Sequence, residues 1–175
     1  MLKLLLLLFM ISCVWADPAP LGLEIGKATI KEAKERYRLT YLGINKYTQG
    51  EMYKVDVSEL DMKYIRECTL LFDKNGKLVA VVMSFSKSGS GRRTPEFEYY
   101  YKLLREKYSL VESRIPFVGD TYARFVDGGT EILLEAPHLS FTMTLTYIKK
   151  DVLKSIKEQM QKESMEERQK SKQKL

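Results

Sequence analysis

The residue types that most often carry acid–base, nucleophilic or zinc chemistry are scarce in this chain, which has one histidine and two cysteines in 175 residues. His138 lies in "APHLS", between two apolar runs, where a solvated turn residue is expected rather than a general base or a ligand. Cys13 sits in an apolar leader, and Cys68 sits in the strand-like run "CTLLF", where it suits a small buried position. One histidine and one remaining thiol make no zinc set, and neither a glycine-rich phosphate loop nor an aspartate-rich calcium loop occurs. The acids are spread along the chain, mostly beside Lys or Arg, as on a solvated surface. A carboxylate pair for sugar chemistry would have to be assembled by the fold. Tyr37, Tyr101, Tyr108 and Tyr147 would suit a ligand cage, but they recur at core spacing, so packing accounts for them first. The expectation is a protein without a cofactor, a metal or an enzymatic site.

The first sixteen residues, "MLKLLLLLFMISCVWA", carry one cation at Lys3, an apolar run and small residues before Asp17. That is the pattern of a secretory signal peptide cut after Ala16, and the run is too short for a bilayer span, which takes about 20 apolar residues. A lipoprotein cut before a lipidated Cys13 is the alternative. After removal of the leader, Cys68 is alone and forms no internal disulfide. The net charge of +6 sits mainly in residues 149–175, with nine Lys/Arg and five Asp/Glu, whereas residues 17–148 hold 19 bases and 18 acids. A nearly neutral body speaks against nucleic acid as a partner.

Behind these residues lies an internal echo. "KERYRL" at 34–39 matches "REKYSL" at 105–110, and "GEMYKVD" at 50–56 matches the start of "GDTYARFVD" at 119–127, pairing Tyr53 with Tyr122. "CTLLFDKNGKLVAVVMSF" at 68–85 lies over "TEILLEAPHLSFTMTLTY" at 130–147 without a gap. The shrinking offset places short insertions in loops of the first copy. Two tandem copies, each too small to bury its own apolar face, are expected to pack side by side.

Each copy reads as a helix followed by four strands. Thr29 and Glu32 make a capping box for a helix over 29–38, with Ile30, Ala33 and Tyr37 on one face. Thr94 caps and Pro95 opens a helix over 95–107, with Phe97, Tyr101, Leu104 and Tyr108 aligned. Strand signals follow at 40–47, 51–57, 109–118 and 121–126, and "FDKNGKL" and "APHLS" are turns between paired strands. "KSGSGRRT" at 87–94 has the composition of a flexible linker with two solubilising arginines. Past 148 a polar tail, with Val152, Ile156 and Met160 at helical spacing, is expected to fray into disorder.

The fold class is therefore α+β: two tandem α-β-β-β-β repeats, 17–86 and 95–148, forming an eight-stranded antiparallel sheet with both helices on one face. Alternation directs Val79, Val81, Met83 and Phe85, and likewise Phe141, Met143, Leu145 and Tyr147, toward those helices. Ala80, Val82, Ser84, Thr142, Thr144 and Thr146 then form an open face of small residues, the candidate binding face.

This order of elements, each unit opening with a phrase like "IGKATIKEAKERY", resembles the secreted beta-lactamase inhibitor proteins and, more distantly, is similar to the small BamE-like outer-membrane lipoproteins. The resemblance covers roughly residues 22–148 and departs from both, since neither copy holds a disulfide. It implies an envelope protein as partner and an exported, non-enzymatic protein-binding or envelope-assembly module, periplasmic or secreted. A small-ligand binder or hydrolase with its site at the seam between the repeats is the alternative, and a structural role for a coiled-coil tail is another. Intact mass of the mature chain checks the export reading: a chain beginning at Asp17 is expected, and acylation at Cys13 would overturn it.

Overall fold

A computed structural model describes residues 17–89, 94–116 and 119–173. The proposed leader with Cys13, and the linker residues Arg92 and Arg93, lie outside the described residues.

The described residues build one antiparallel sheet of eight strands with three α-helices. Helix α1 (Ile30–Arg36) precedes strands β1 (Leu39–Ile44), β2 (Gln49–Val55), β3 (Ile65–Asp73) and β4 (Leu78–Ser86). Helix α2 (Pro95–Lys107) precedes β5 (Ser109–Arg114), β6 (Thr121–Asp127), β7 (Thr130–Ala136) and β8 (Thr142–Lys149), and α3 (Lys150–Lys172) closes the chain. The sheet order is β1-β2-β3-β4-β8-β7-β6-β5, so β4 and β8 join at the centre, and each edge strand is the first of its set of four.

Local chemistry starts both short helices as expected. The Thr29 hydroxyl accepts from Glu32 N at 3.2 Å and the Glu32 carboxylate accepts from Thr29 N at 2.6 Å, completing the capping box. Thr94 accepts from Phe97 N, and Pro95 occupies the first helical position, where its missing N–H costs nothing.

Helices α1 and α2 cover one face. Ala33, Phe97, Tyr100, Leu104 and Tyr108 share a single core with Leu70, Phe72, Val81, Met83, Phe85, Ile132, Leu134, Met143, Leu145 and Tyr147. Four details differ from the sequence expectation. Tyr100 rather than Tyr101 is the buried tyrosine of α2, wedged against Phe85 at 4.3 Å between ring centroids and donating to Lys63 O. Val79 lies outside that core, because β3 and β4 slip register between Leu71 and Phe72 and Leu78 takes the inward position. Phe141 precedes β8 and is 70% exposed. Lys87 is buried, donating its Nζ to Pro137 O at 2.8 Å and its backbone N to Phe141 O, so the linker starts as a fixed clamp on the β7–β8 turn.

The echo divides in the same way. At the offset of 62, Leu70 and Ile132, Phe72 and Leu134, Val81 and Met143, and Met83 and Leu145 are all buried in the one core. The Tyr53–Tyr122 match does not hold in space. Tyr53 is buried in that core, whereas in β6 the inward residues are Thr121, Ala123 and Phe125, so Tyr122 points the other way. A slip of one residue exchanges the two faces of a strand.

Gly50 serves close packing rather than a turn. A Cβ there would stand 2.1 Å from Phe72 O, while the positive φ of the β1–β2 turn falls on Gln49. Gly50→Ala is expected to lower stability by about 1–3 kcal/mol, the usual cost of overpacking. Urea unfolding measures it, and an unchanged midpoint would show that β2 and β3 can part at this point.

Candidate functional site

The sheet face away from α1 and α2 carries the candidate residues, and strand register arranges them. On the two central strands Val82 is opposite Thr146, Ser84 opposite Thr144, Ser86 opposite Thr142, and Ala80 opposite Ile148. All six candidate residues therefore share one continuous patch. Val82, Ser84, Thr142, Thr144 and Thr146 are half-buried, and Ala80 is buried.

Following the pairs outward gives two rows that cross all eight strands. One runs Thr40, Lys54, Thr69, Val82, Thr146, Leu133, Arg124, Glu112, with Val82 between two threonines at its centre and charges near its ends. The other runs Gly43, Met52, Leu71, Ala80, Ile148, Glu131, Val126, Ser109 and is largely apolar. Ala80 and Ile148 are buried yet stand outside the main core, so something on this side covers them.

That cover is α3, and here the expectation of an open face needs correction. Lys157 of α3 lines a cleft of about 520 Å³ with Tyr122, Arg124, Leu133, Glu135 and Glu112, which places α3 on the second face. The helix also runs unbroken to Lys172 instead of fraying early. Its start is tied to the β6–β7 turn: Lys150 N donates to Gly129 O at 2.9 Å and Lys150 Nζ donates to Gly128 O at 2.7 Å. The same turn receives the N-terminal segment, since the Asp17 carboxylate accepts from Gly129 N at 2.8 Å and from the Thr130 hydroxyl at 3.1 Å.

Further along α3, Glu163 pairs with Lys46 of the β1–β2 turn at 2.9 Å. This contact defines the helix direction. From β8 to β1 there are four strand spacings, about 19 Å, and the thirteen helical rises from Lys150 to Glu163 span about 20 Å. The helix therefore runs across the strands toward the β1–β2 turn, and Val152, Leu153 and Ile156 are half-buried along its first turns. The ammonium of Lys46 is held above its usual value by Tyr47 first and by Glu163 second.

The cleft beside α3 is lined by groups that largely engage one another. Tyr122 donates to Glu112, and Arg124 lies 3.7 Å from Glu112 and 3.8 Å from Glu131. The Tyr122 hydroxyl is held above its usual value chiefly by that bond to Glu112. A larger cleft, about 630 Å³, lies between α1 and the segment before it, lined by Glu24, Lys27, Glu32, Glu35 and Arg36. Neither cleft lies on the β4–β8 seam.

The chemistry-bearing residues singled out by type are placed as follows. His138 is exposed in the β7–β8 turn, where its backbone N donates to Asp120 at 2.6 Å. Cys68 is fully buried, and burial raises its thiol to about 12. Tyr108 and Tyr147 pack edge to face at 6.0 Å, Tyr101 stacks on Phe97, and Tyr37 donates to Leu21 O. Among the described residues no group of three or more His, Cys, Asp and Glu side chains is placed to hold a metal ion, and no helix is long and apolar enough to cross a membrane. Sequence reasoning missed the outward row of β6 and β7 and the role of α3. The alternation in "YARFVD" was legible, but the one-residue slip hid which side Tyr122 and Arg124 occupy.

No family model, curated protein or solved structure matches the chain.

The buried thiol makes stability depend on alkaline pH. The unfolded thiol ionises near its ordinary 9.0 and the folded one only at about 12, so the unfolded state holds fewer protons across that window. Stability contributed by the protonated thiol is complete below pH 9 and is lost as pH rises toward 12. Urea unfolding at stepped pH should show this decline, shallower in Cys68→Ala, where the tyrosines and lysines still titrate but the thiol does not. An equal slope in both proteins would place the ionisation elsewhere.

Proposed function

We propose that the protein is an exported, non-enzymatic binding or assembly module of the bacterial envelope, and that the second face of its sheet makes the contact with another envelope protein. The observation that carries this reading is the patch on β4 and β8, where five half-buried small side chains lie side by side at the centre of an eight-stranded face. Small residues at the centre let a partner approach the sheet closely. Lys54, Glu67, Arg124 and Glu135 on the flanking strands supply charge for orientation, as interface rims do.

Under this reading the two helix-plus-four-strand sets are tandem copies of one unit, supported by the inward residues shared at the offset of 62, and the architecture resembles the secreted beta-lactamase inhibitor proteins. Export by cleavage after Ala16 would leave Asp17 as the first residue, with its carboxylate already tied to Gly129 and Thr130.

A second reading, a small-ligand or hydrolytic site, draws on one observation: the cleft of about 520 Å³ between β6, β7 and α3 brings Tyr122, Arg124, Glu112, Glu135 and Lys157 together. The Glu112 carboxylate there engages both Arg124 and Tyr122, which favours binding over catalysis.

Val82→Arg and Thr144→Arg test the leading reading. Each is expected to abolish capture of the partner from an envelope extract while the circular dichroism spectrum stays that of the parent. Unchanged capture by both folded variants would remove this face from the interface.

A further inference from the structure

We propose that α3 beyond its first two turns is a displaceable strap across the second sheet face, and that a partner docking on that face must lift it. The inference deepens the binding reading and rests on it for the identity of the site; the strap itself is argued from the attachment of α3.

That attachment is uneven. The first turns are anchored by two hydrogen bonds from Lys150 to the β6–β7 turn and by the half-buried Val152, Leu153 and Ile156. From Lys157 to Gln173 every residue is exposed, Met160 and Met165 by more than half. The ion pair from Glu163 to Lys46 joins this distal part to the β1–β2 turn, with both side chains at least half exposed. Exposed pairs of this kind are weak and are screened by salt. The last nine helical residues, about 14 Å of helix, run on past the edge strand.

A helix polar on all sides has little reason to persist alone, and the one described ion pair one turn apart within α3, Lys154 with Glu158 at 3.9 Å, adds little. The strap is held by its tether: attachment at Lys150 keeps the distal turns at high effective concentration over the face, so a weak contact suffices while no competitor is present. Lifting it from Lys157 outward would widen the cleft at Tyr122 and Leu133 and free the ammonium of Lys46. Since the displaced turns are polar apart from Met160 and Met165 and offer Glu163 to Lys46, the partner segment that fits is a polar helix that carries an acid for Lys46.

Full-length chains test this without any partner. Amide hydrogen exchange over residues 158–163 should be up to about five-fold faster in both Lys46→Glu and Glu163→Lys, the range an exposed pair covers, and should return to the parent rate in the charge-swapped double variant. A fluorescent peptide of residues 150–172 should bind the Glu163→Lys chain, which keeps Lys46, up to about five-fold more tightly than the parent. The strap is overturned if exchange is the same in all chains, if it rises in Glu163→Lys alone and thus reports helix propensity only, or if the peptide binds both chains equally. These outcomes are independent of capture by the Val82→Arg and Thr144→Arg chains, so failure of the strap and failure of the binding face can be told apart.

Discussion

The pairing of β4 with β8 is the contact on which the rest of the molecule depends. Seven consecutive residue pairs, from Ala80 with Ile148 to Ser86 with Thr142, join two four-stranded sheets that would each end in an unpaired edge. The same ladder aligns the inward residues of both halves, so Val81, Met83 and Phe85 meet Tyr147, Leu145 and Met143 under two helices and form one core instead of two. Four strands and one short helix bury too little apolar surface to stand comfortably alone, and the ladder removes that limitation. The exposed edges are then β1 and β5, six residues each, both interrupted by a register shift, which discourages further strand addition.

The ladder also creates the second face. Pairing fixes alternate residues to opposite sides, so burying Val81, Met83 and Leu145 necessarily presents Val82, Ser84 and Thr144 on the other side. Those side chains are small, and beside them Ala80 and Ile148 are buried next to the first turns of α3. Helix α3 reaches that face because β8 ends at its margin, the first residue of the helix is tied to Gly128 and Gly129, and its Glu163 pairs with Lys46 at the far edge. The second face and the helix that crosses it thus arise from one topological fact, the position of β8 at the centre of the sheet.

How far the site could be read beforehand follows from the kind of information each part needs. Val82, Ser84, Thr142, Thr144 and Thr146 were accessible because strand alternation is local and the turns around Asn75 and His138 set the phase on either side. Tyr122 and Arg124 were not, because the match of "GDTYARFVD" with "GEMYKVD" is one residue out of phase with the pairing, and phase in a strand is decided by its neighbours. Phe141 and Lys87 reverse their expected environments for a similar reason: β8 starts one residue later than alternation suggests, and a lysine in a glycine- and serine-rich stretch finds the Pro137 carbonyl only once the β7–β8 turn is in place.

The sequence by itself determined the helix starts, the alternating strands and the helix-then-four-strands order, since each depends on residues close together in the chain. The tertiary structure decided the rest. It placed β8 beside β4, put Cys68 beyond reach of solvent, turned Tyr122 outward, made Gly50 a point of close approach to Phe72, and laid α3 across the face opposite the core. Each of these depends on a contact between residues distant in the chain, such as Glu163 with Lys46, and such contacts leave no periodic mark in either partner's neighbourhood.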